Sequence, residues 1–318
     1  MGWLLRSKDP SVRYFTLRDV LREQEQSREV MTARRQITEG SRVRALLSGQ
    51  RIDGGFGVHQ YRKWSGGHWR LVSAVELGVT SENKVAVKAA KRVLAGLSRL
   101  RPPKVAELWR SHASEPGNAV GVGSKLGLAE DPIVKKLASS LVEWQWPDGG
   151  WNCDSAPDAR HSSFYESLST LWGLNEYSRA TDDSDVKEAV QRAAQFFLKH
   201  RLFRSCSTGG IINLEWLKLH YPLYWHYDIL QALRILSLTG NLRDSRTAEA
   251  LDIVQSKRSE DGTWRPEGYY WRPRLGARPS TGTQPSPNTE VVDWGREGPN
   301  EMITLNALRV LVGSRRIS

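Results

Sequence analysis

A glycine-rich turn recurs along the chain after amphipathic segments, and this repeat restricts the possible folds more than any other feature. Its copies read GQRIDGGFG at 49–57, WQWPDGGWN at 144–152 and QSKRSEDGTW at 255–264, with a degenerate copy, RSCSTGGII, at 204–212. Glycine after aspartate permits the positive φ of a tight turn. The closing Phe or Trp can pack between neighbouring helices. Such repetition indicates a repeat architecture, and a catalytic loop would not need several copies.

Two classes of helical segment alternate around these turns. Segments of the first class have one apolar and one charged face, as expected for outer helices; they span 27–47, 81–100, 131–144, 184–200 and 245–257. Segments of the second class are less charged and richer in Ala, Ser, Thr and Gly, as expected for buried helices; they span 12–21, 68–79, 117–128, 164–177, 225–240 and 299–313.

This alternation predicts an all-α fold: a single α/α toroid over residues 1–318, with about six inner helices and five to six outer helices. A helical solenoid is the alternative, because DPSVRYFTLRDVL at 9–21 also resembles a HEAT-type helix. No alternating strand pattern is evident. Residues 265–298 are rich in Pro, Gly, Ser and Thr, and we predict a long irregular loop or lid there.

The composition limits the cellular compartment and the class of binding partner that we expect. The chain has no run of 18 apolar residues, no export signal and only two cysteines, so we expect a cytoplasmic protein without disulfides. A net charge of +11 suits an anionic partner such as a phosphorylated ligand, nucleic acid or an anionic membrane surface, although it would equally aid solubility. Thirteen tryptophans indicate either packing anchors or a ligand surface.

Two motifs carry a resemblance to known families. Gln145–Trp151 and Gln50–Phe56 resemble the glutamine–tryptophan repeat of squalene–hopene and oxidosqualene cyclases. The segment DARHSSFYESLSTLWGL, at 158–174, resembles an inner helix of protein prenyltransferase β subunits. The resemblance implies one α/α toroid with a central cavity and isoprenoid substrates.

The chain departs from the catalytic motifs of these families. No inner helix contains the Asp-x-Asp-Asp motif of squalene–hopene cyclases; TDDSD at 181–185 instead indicates a helix start with Ser184 or Asp185 as N-cap. Prenyltransferases bind zinc through Asp, Cys and His, and here Glu166 takes the place of the histidine. Neither cysteine is expected in a three-ligand site, and the aspartate-rich magnesium motif is missing from the sequence. We therefore expect no metal and no cofactor.

The candidate catalytic residues lie at the N-terminal ends of the inner helices, which we expect to ring the cavity mouth. Glu166 and Asp228 are the candidate general acids, because an aromatic cavity would raise the pKa of a carboxyl group. Each could instead cap its own helix. His161 and His226 could pair with these carboxylates, and Glu301 is a further candidate at a helix start.

A second set is predicted to contact the substrate. Aromatic faces can stabilise a cation, amides can orient a ligand, and arginine beside aromatic rings suits a phosphate or carboxylate. The aromatic members could equally fill the core. The set comprises Trp69, Asn118, Tyr165, Trp225, Tyr227, Trp271, Arg272 and Asn300. Cys153 would act as a nucleophile only if the loop brought His161 to it.

The favoured function is a terpene cyclase-like enzyme that acts on a hydrophobic or isoprenoid-like small molecule by metal-independent acid catalysis. Peripheral membrane contact would suit such a substrate. A carbohydrate-active α/α barrel is one alternative, with Glu166 and Asp228 flanking a glycosidic bond. The other alternative is a non-catalytic basic helical repeat that binds nucleic acid or another anionic partner, which predicts a positive concave face.

Overall fold

The computed structural model describes residues 2–272 and 289–317, and most of these residues are helical. The α-helices of these two ranges are α1 Gly2–Leu5, α2 Pro10–Phe15, α3 Arg28–Gln36, α4 Ser41–Leu47, α5 Gly67–Glu76, α6 Lys84–Leu97, α7 Ser114–Lys125, α8 Pro132–Glu143, α9 Phe164–Thr181, α10 Ser184–Lys199, α11 Ile229–Leu238, α12 Ala248–Ser256 and α13 Glu301–Gly313. Shorter helical turns span Thr16–Val20, Ile37–Glu39, Leu214–Leu217 and Ser245–Thr247.

The helices form two concentric layers. Helices α2, α5, α7, α9, α11 and α13 form an inner ring, which closes where α13 packs against α2 and the π-helical turn Thr16–Val20. Helices α6, α8 and α12 each bridge two successive inner helices, α10 packs against the inner helix α9 and the outer helix α8, and α3 covers α2 from the outside. The predicted all-α toroid is confirmed, and closure of the ring excludes the open solenoid.

Several local predictions need correction. The segment 27–47 is two helices, because Gly40, with φ −59° and ψ 140°, separates the turn Ile37–Glu39 from α4. Two short antiparallel strands, β1 Lys104–Val105 and β2 Leu108–Trp109, were not predicted, because two residues are too few to show an alternating pattern. Of the predicted loop 265–298, residues 273–288 lie outside the described ranges.

The N-cap of α10 lies one residue before the earlier of the two predicted caps, Ser184 and Asp185. Asp183 is its N-cap, and its Oδ1 accepts hydrogen bonds from the backbone N–H groups of Asp185 and Val186, each at 3.1 Å. Ser184 is the first helical residue. The predicted capping role of TDDSD therefore holds, but neither Ser184 nor Asp185 is the cap.

The recurring turn fastens neighbouring outer helices. The Gln145 side-chain amide donates to the carbonyl of Gly149, at 2.8 Å, and to that of Ala189 in α10, at 2.9 Å. Gln50 makes the equivalent bonds to Gly54, at 3.3 Å, and to Val85 in α6, at 2.8 Å. Each glutamine amide therefore links its own glycine turn to the first turns of the next outer helix. The turn is structural, as its repetition predicts.

Two glycines let α7 and α9 approach each other very closely. A Cβ placed on Gly173 would lie 1.9 Å from the Gly117 carbonyl oxygen, and one on Gly117 would lie 2.6 Å from the Thr170 Cα. No side chain fits at either position without separating the helices. The richness of these inner helices in small residues therefore sets the diameter of the ring at this point.

No helix within the described ranges has both the length and the apolar content needed to cross a lipid bilayer.

Glu290 predicts a pH-dependent stability. Its carboxyl group is 1 % exposed, and its Oε1 accepts a hydrogen bond from the Val291 N–H at 2.6 Å. Burial raises its pKa to about 7. A carboxyl group whose pKa is raised by folding holds its proton more tightly in the folded protein than in the unfolded chain. The free energy of unfolding is therefore highest below the pKa of the unfolded chain, and it falls as the pH rises through the folded-state pKa.

Between about pH 5 and pH 8, urea unfolding should therefore show the wild type losing about 3 kcal/mol relative to Glu290→Gln, which cannot ionise. Parallel stability profiles for the two proteins would contradict the prediction.

Candidate functional site

A cavity of about 590 Å³ lies inside the ring, and all six inner helices contribute to its wall. Its apolar and aromatic lining includes Phe15, Val72, Leu168, Trp172, Tyr224 and Ile235. Because all six inner helices line it, the cavity is a direct consequence of ring closure. It is the strongest candidate for a ligand site in the described part of the chain.

One end of the cavity is closed by the segment 220–224, which precedes α11. His220, Tyr221, Leu223 and Tyr224 all line the cavity and are all buried. Tyr224 stacks face to face on Trp64, with ring centroids 3.8 Å apart. The long connection between α10 and α11 therefore forms a floor at the N-terminal ends of the inner helices.

The mouth lies at the opposite end, where the inner helices finish. Glu76 is the last residue of α5, Lys125 is the last residue of α7, and Arg179 lies in the last turn of α9. Lys125 and Arg179 are exposed, as are the rim residues Arg22 and Glu25. The predicted mouth at the N-terminal ends is wrong, because the segment 220–224 covers that end.

Every carboxylate of the described cavity wall is paired with a cation. Glu76 Oε1 lies 2.7 Å from Arg234 Nη1, and Asp19 Oδ2 lies 2.6 Å from Arg309 Nη2. The other two pairs are Lys125–Glu176, at 3.5 Å, and Arg18–Glu25, at 3.8 Å. Although burial opposes it, the guanidinium groups of Arg309 and Arg18 hold the pKa of Asp19 below its ordinary value. The cavity wall therefore presents ion pairs, and Asp19 is held in its ionised form.

Glu166 is buried but does not line the cavity. Its Oε2 accepts a hydrogen bond from the Ser114 N–H at 2.9 Å, and its Oε1 lies 3.2 Å from His112 Nδ1. Burial acts to raise the pKa, but the bonds from His112 and Ser114 hold it below the ordinary value. The expected raised pKa is therefore wrong. Ser163 caps α9, so Glu166 satisfies the start of the neighbouring helix α7.

Asp228 is the N-cap of α11. Its Oδ1 accepts from the Gln231 N–H at 2.8 Å, and its Oδ2 accepts from the His220 N–H at 3.0 Å. The side chain is buried and does not line the cavity. The capping alternative is confirmed for Asp228, and both carboxylate oxygens serve the backbone.

The other catalytic candidates are dispersed. His161 is exposed, away from the cavity wall, and its carbonyl accepts a bond from the Asn152 amide. Glu301 begins α13 and pairs with Arg42 at 2.8 Å. His226 does line the cavity, stacked between Trp225 and Tyr270 with centroid distances of 4.0 and 3.4 Å. Burial lowers the pKa of His226 to about 4, so it is neutral at pH 7 and is no cationic proton donor.

Most of the predicted substrate contacts are core or capping residues. Trp69, Tyr227 and Trp271 are buried, and each donates to a backbone carbonyl: Tyr61 at 3.2 Å, Leu202 at 2.6 Å and Tyr221 at 3.1 Å, respectively. Their polar atoms are satisfied by the protein, and none of the three lines the cavity. Trp271 lines a separate pocket of about 340 Å³, and the predicted contact of these three residues with a substrate stays a prediction.

The remaining members of that set have different positions. Asn300 caps α13 by accepting from the Met302 N–H at 3.0 Å, and Tyr165 accepts from the Trp216 indole at 3.0 Å. Trp225 and Arg272 line a second pocket of about 340 Å³. Asn118 lines the central cavity, and its buried Nδ2 has no protein partner.

The sequence reasoning missed the charged residues of the cavity wall. Arg234 lies in the apolar helix α11, Arg309 lies in the apolar helix α13, and Glu76 ends α5. A charge within an otherwise apolar inner helix was a usable signal, because burying it requires a partner or a cavity. The sequence prediction considered only the N-terminal ends of the inner helices, whereas these charged residues lie toward their C-terminal ends.

Cys153 lies in a group that the sequence reasoning did not foresee. Its Sγ, His112 Nδ1 or Nε2 and a Glu166 carboxylate oxygen lie within 4.8 Å of one another. The expectation that neither cysteine belongs to a three-ligand group is therefore wrong for Cys153. Burial and the charge of Glu166 raise the pKa of the Cys153 thiol to about 12. The free thiol is therefore unsuited to nucleophilic attack at neutral pH.

Comparisons with known proteins give a structural likeness. No protein-family model and no curated protein sequence matches the chain. The chain is similar to a solved structure of the type II terpene cyclase MstE from Scytonema, an arginine-to-alanine variant in complex with its substrate, geranylgeranyl dihydroxybenzoate. The TM-score is 0.45 at 15 % sequence identity, covering 97 % of this chain and 88 % of that chain.

Proposed function

We propose that the protein is a terpene cyclase-like enzyme whose central cavity binds an isoprenoid-like molecule with an anionic end. The cavity itself carries this proposal: about 590 Å³ enclosed by the inner ring, with an apolar and aromatic interior and a charged mouth. This volume lies within the range of about 300–1,000 Å³ for small-molecule sites. A flexible prenyl chain would occupy the interior, and its polar end would remain at the mouth.

The aromatic wall suits a hydrocarbon chain that develops positive charge. Phe15 of α2, Trp172 of α9, and Tyr221 and Tyr224 of the segment before α11 line the cavity. Aromatic faces attract cations through their quadrupole, and the attraction is strongest where water is excluded. The interior would therefore both bind an apolar chain and stabilise a carbocation on it.

The rim favours an anionic end group. Six cations line the cavity against four carboxylates, an excess of two positive charges. The cations are Arg18, Arg22, Lys125, Arg179, Arg234 and Arg309, and the carboxylates are Asp19, Glu25, Glu76 and Glu176. Because the four carboxylates each already pair with a cation, the exposed Arg22 and Arg179 are the groups best placed to meet a ligand carboxylate or phosphate.

The ion pairs of the cavity wall support an assignment of acid–base roles that differs from the one predicted from the sequence. Glu76 lies 2.7 Å from Arg234, and the Tyr221 hydroxyl donates to it at 3.3 Å. An anion held in this way accepts a proton or stabilises positive charge, and does not supply a proton. We therefore place Glu76 as the base or electrostatic partner of a cationic intermediate, in place of Glu166 and Asp228.

Ligand titration tests the proposal. Geranylgeranoic acid should quench tryptophan fluorescence and raise the melting temperature, because a ligand of the native state stabilises it. Trp172→Leu should weaken binding at least about tenfold by removing an aromatic face. Trp3→Leu is the matched control, since Trp3 is partly exposed and does not line the cavity.

The rim is tested by comparing this acid with the neutral alcohol geranylgeraniol. Arg179→Gln should weaken binding of the acid about three- to tenfold and leave the alcohol unaffected. Arg160→Gln is the control, because Arg160 is exposed but does not line the cavity. Binding that is insensitive to both Trp172→Leu and Arg179→Gln would contradict the proposed site.

No structural observation favours the alternative functions. Glu166 and Asp228 bind backbone N–H groups at helix starts and do not line the cavity, so the pair expected to flank a glycosidic bond is engaged elsewhere. The concave surface mixes both signs of charge, in contrast to the positive face expected for nucleic acid. Oligosaccharide and short DNA belong in the same titration, and a salt-sensitive response to DNA alone would favour a binding protein.

A further inference from the structure

Three separate segments bring together an imidazole, a thiol and a carboxylate. His112 precedes α7, Cys153 follows the turn after α8, and Glu166 lies in the first turn of α9. One potential ligand atom from each lies within 4.8 Å of the other two. Among the described residues, these three form the one group of three or more His, Cys, Asp or Glu side chains close enough to share a metal ion.

Backbone pairing places these residues side by side. Arg110 forms a bridge with Asn152, and the Ser111 N–H donates to the Asn152 carbonyl at 2.9 Å. Trp151 forms a second bridge with Ser163, whose N–H donates to the Trp151 carbonyl at 2.8 Å. His112 and Cys153 each follow a bridged residue closely, and Glu166 comes one helical turn after Ser163. The cluster is therefore fixed by the backbone.

Glu166 is also oriented for coordination. The Ser114 N–H holds its Oε2 at 2.9 Å, and its Oε1 faces His112 Nδ1 at 3.2 Å. Hydrogen bonds of this kind fix the orientation of a carboxylate ligand before a metal binds. The His112 side chain is 79 % exposed, which leaves a route for an ion from solvent.

We propose that His112, Cys153 and Glu166 form a zinc-binding site. Nitrogen, thiolate sulfur and carboxylate oxygen are the donors zinc uses in proteins, and three protein ligands leave a fourth position for water or substrate. Zinc–ligand bonds of about 2.0–2.3 Å place tetrahedral ligands roughly 3.3–3.8 Å apart. The three ligand atoms lie at most 4.8 Å apart, so side-chain shifts of no more than about 1 Å would bring them to this spacing. On binding, the Cys153 thiol releases its proton to solvent as the sulfur–zinc bond forms.

The site is separate from the central cavity. None of its three residues lines that cavity, and all three lie near the N-terminal ends of α7 and α9, away from the mouth. Metal binding and isoprenoid binding can therefore be measured independently. The zinc site stands whether or not the cavity binds a prenyl chain.

Cobalt substitution tests the proposal on the full-length chain after removal of metals with a chelator. Addition of Co²⁺ should produce the visible bands of a tetrahedral ion and a near-ultraviolet thiolate-to-cobalt band. One equivalent of Zn²⁺ should abolish both signals. Elemental analysis should give one zinc per chain, and zinc should raise the melting temperature.

Cys153→Ser should abolish the thiolate band and weaken Zn²⁺ binding at least about a hundredfold. Cys206→Ser is the matched control and should retain both signals. Cys206 is exposed and lies 3.3 Å from His200 Nδ1, but in the described ranges it belongs to no group of three ligands. His112→Ala should also weaken zinc binding. We expect this variant to fold normally, because the His112 side chain is mostly exposed.

Two results would overturn the proposal. One is an unchanged spectrum and melting temperature of the wild type after addition of either ion. The other is equal cobalt and zinc binding by wild type and His112→Ala, which remains informative even where Cys153→Ser fails to fold. Circular dichroism of each metal-free variant would establish that it is folded before the titration.

Discussion

Replacing Gly173 with alanine should destabilise the protein by about 3 kcal/mol or more, although alanine normally stabilises a helix interior by about 1 kcal/mol relative to glycine. The reversal follows from the contact between α7 and α9. The new Cβ would lie 1.9 Å from the Gly117 carbonyl oxygen, a backbone atom that cannot rotate away. The helices would have to separate, and their shared apolar surface would be partly exposed.

Urea unfolding followed by circular dichroism would measure the effect. Gly210→Ala is the matched control, because its Cβ would meet only the Thr208 hydroxyl at 3.4 Å and Gly210 is exposed. That variant should unfold within about 0.5 kcal/mol of the wild type. A stabilised Gly173→Ala protein would mean that α7 and α9 do not approach as closely as described.

Replacing Asp228 with alanine should cost about 3 kcal/mol, well above the usual cost of about 1 kcal/mol for losing an N-cap. The side chain is 1 % exposed and accepts from the backbone N–H groups of both Gln231 and His220. Alanine would leave one buried donor, the His220 N–H, and one partly buried donor, the Gln231 N–H, without a partner, and water would not readily reach the buried one. Thermal and urea unfolding would both report this loss.

Asp183→Ala provides the comparison. Asp183 also accepts from two backbone N–H groups, but one of those bonds, to Asp185, is exposed to solvent. Water can replace the lost acceptor there, so a cost of about 1 kcal/mol is expected. Similar losses for the two variants would show that burial does not set the strength of these caps. Loss of isoprenoid binding in a fully folded Asp228→Asn protein would show that Asp228 contributes to ligand binding after all.

The helical layers were predictable because their signals are local. The spacing of apolar residues separates the two classes of helix, and Gln145 with its glycine turn recurs at Gln50, so both could be found in the sequence. Asp228 likewise precedes an apolar helix, where an N-cap is expected, and the structure places it there. In these cases the interaction lies within a few residues of the side chain that makes it.

The site was harder to predict because its contacts are remote in sequence. Glu166 is 52 residues from Ser114, the donor that orients its carboxylate. Glu76 is 158 residues from Arg234. The end at which the cavity opens depends on the path of the segment 220–224, which carries no periodic signal. Burial alone suggested a raised pKa for Glu166, and hydrogen bonds across this separation reverse the direction.

Closure of the inner ring also determines when the cavity can form during synthesis. Its last joint includes the pair Arg309–Asp19 and the bond from Arg22 to the Val312 carbonyl, each spanning 290 residues. Contacts of such long sequence separation form late, because a long stretch of chain must be ordered first. Until α13 has left the ribosome, the apolar wall stands open on one side. The nascent protein therefore passes through a stage in which its ligand-binding surface is an exposed apolar groove, and we expect chaperones to bind it at that stage.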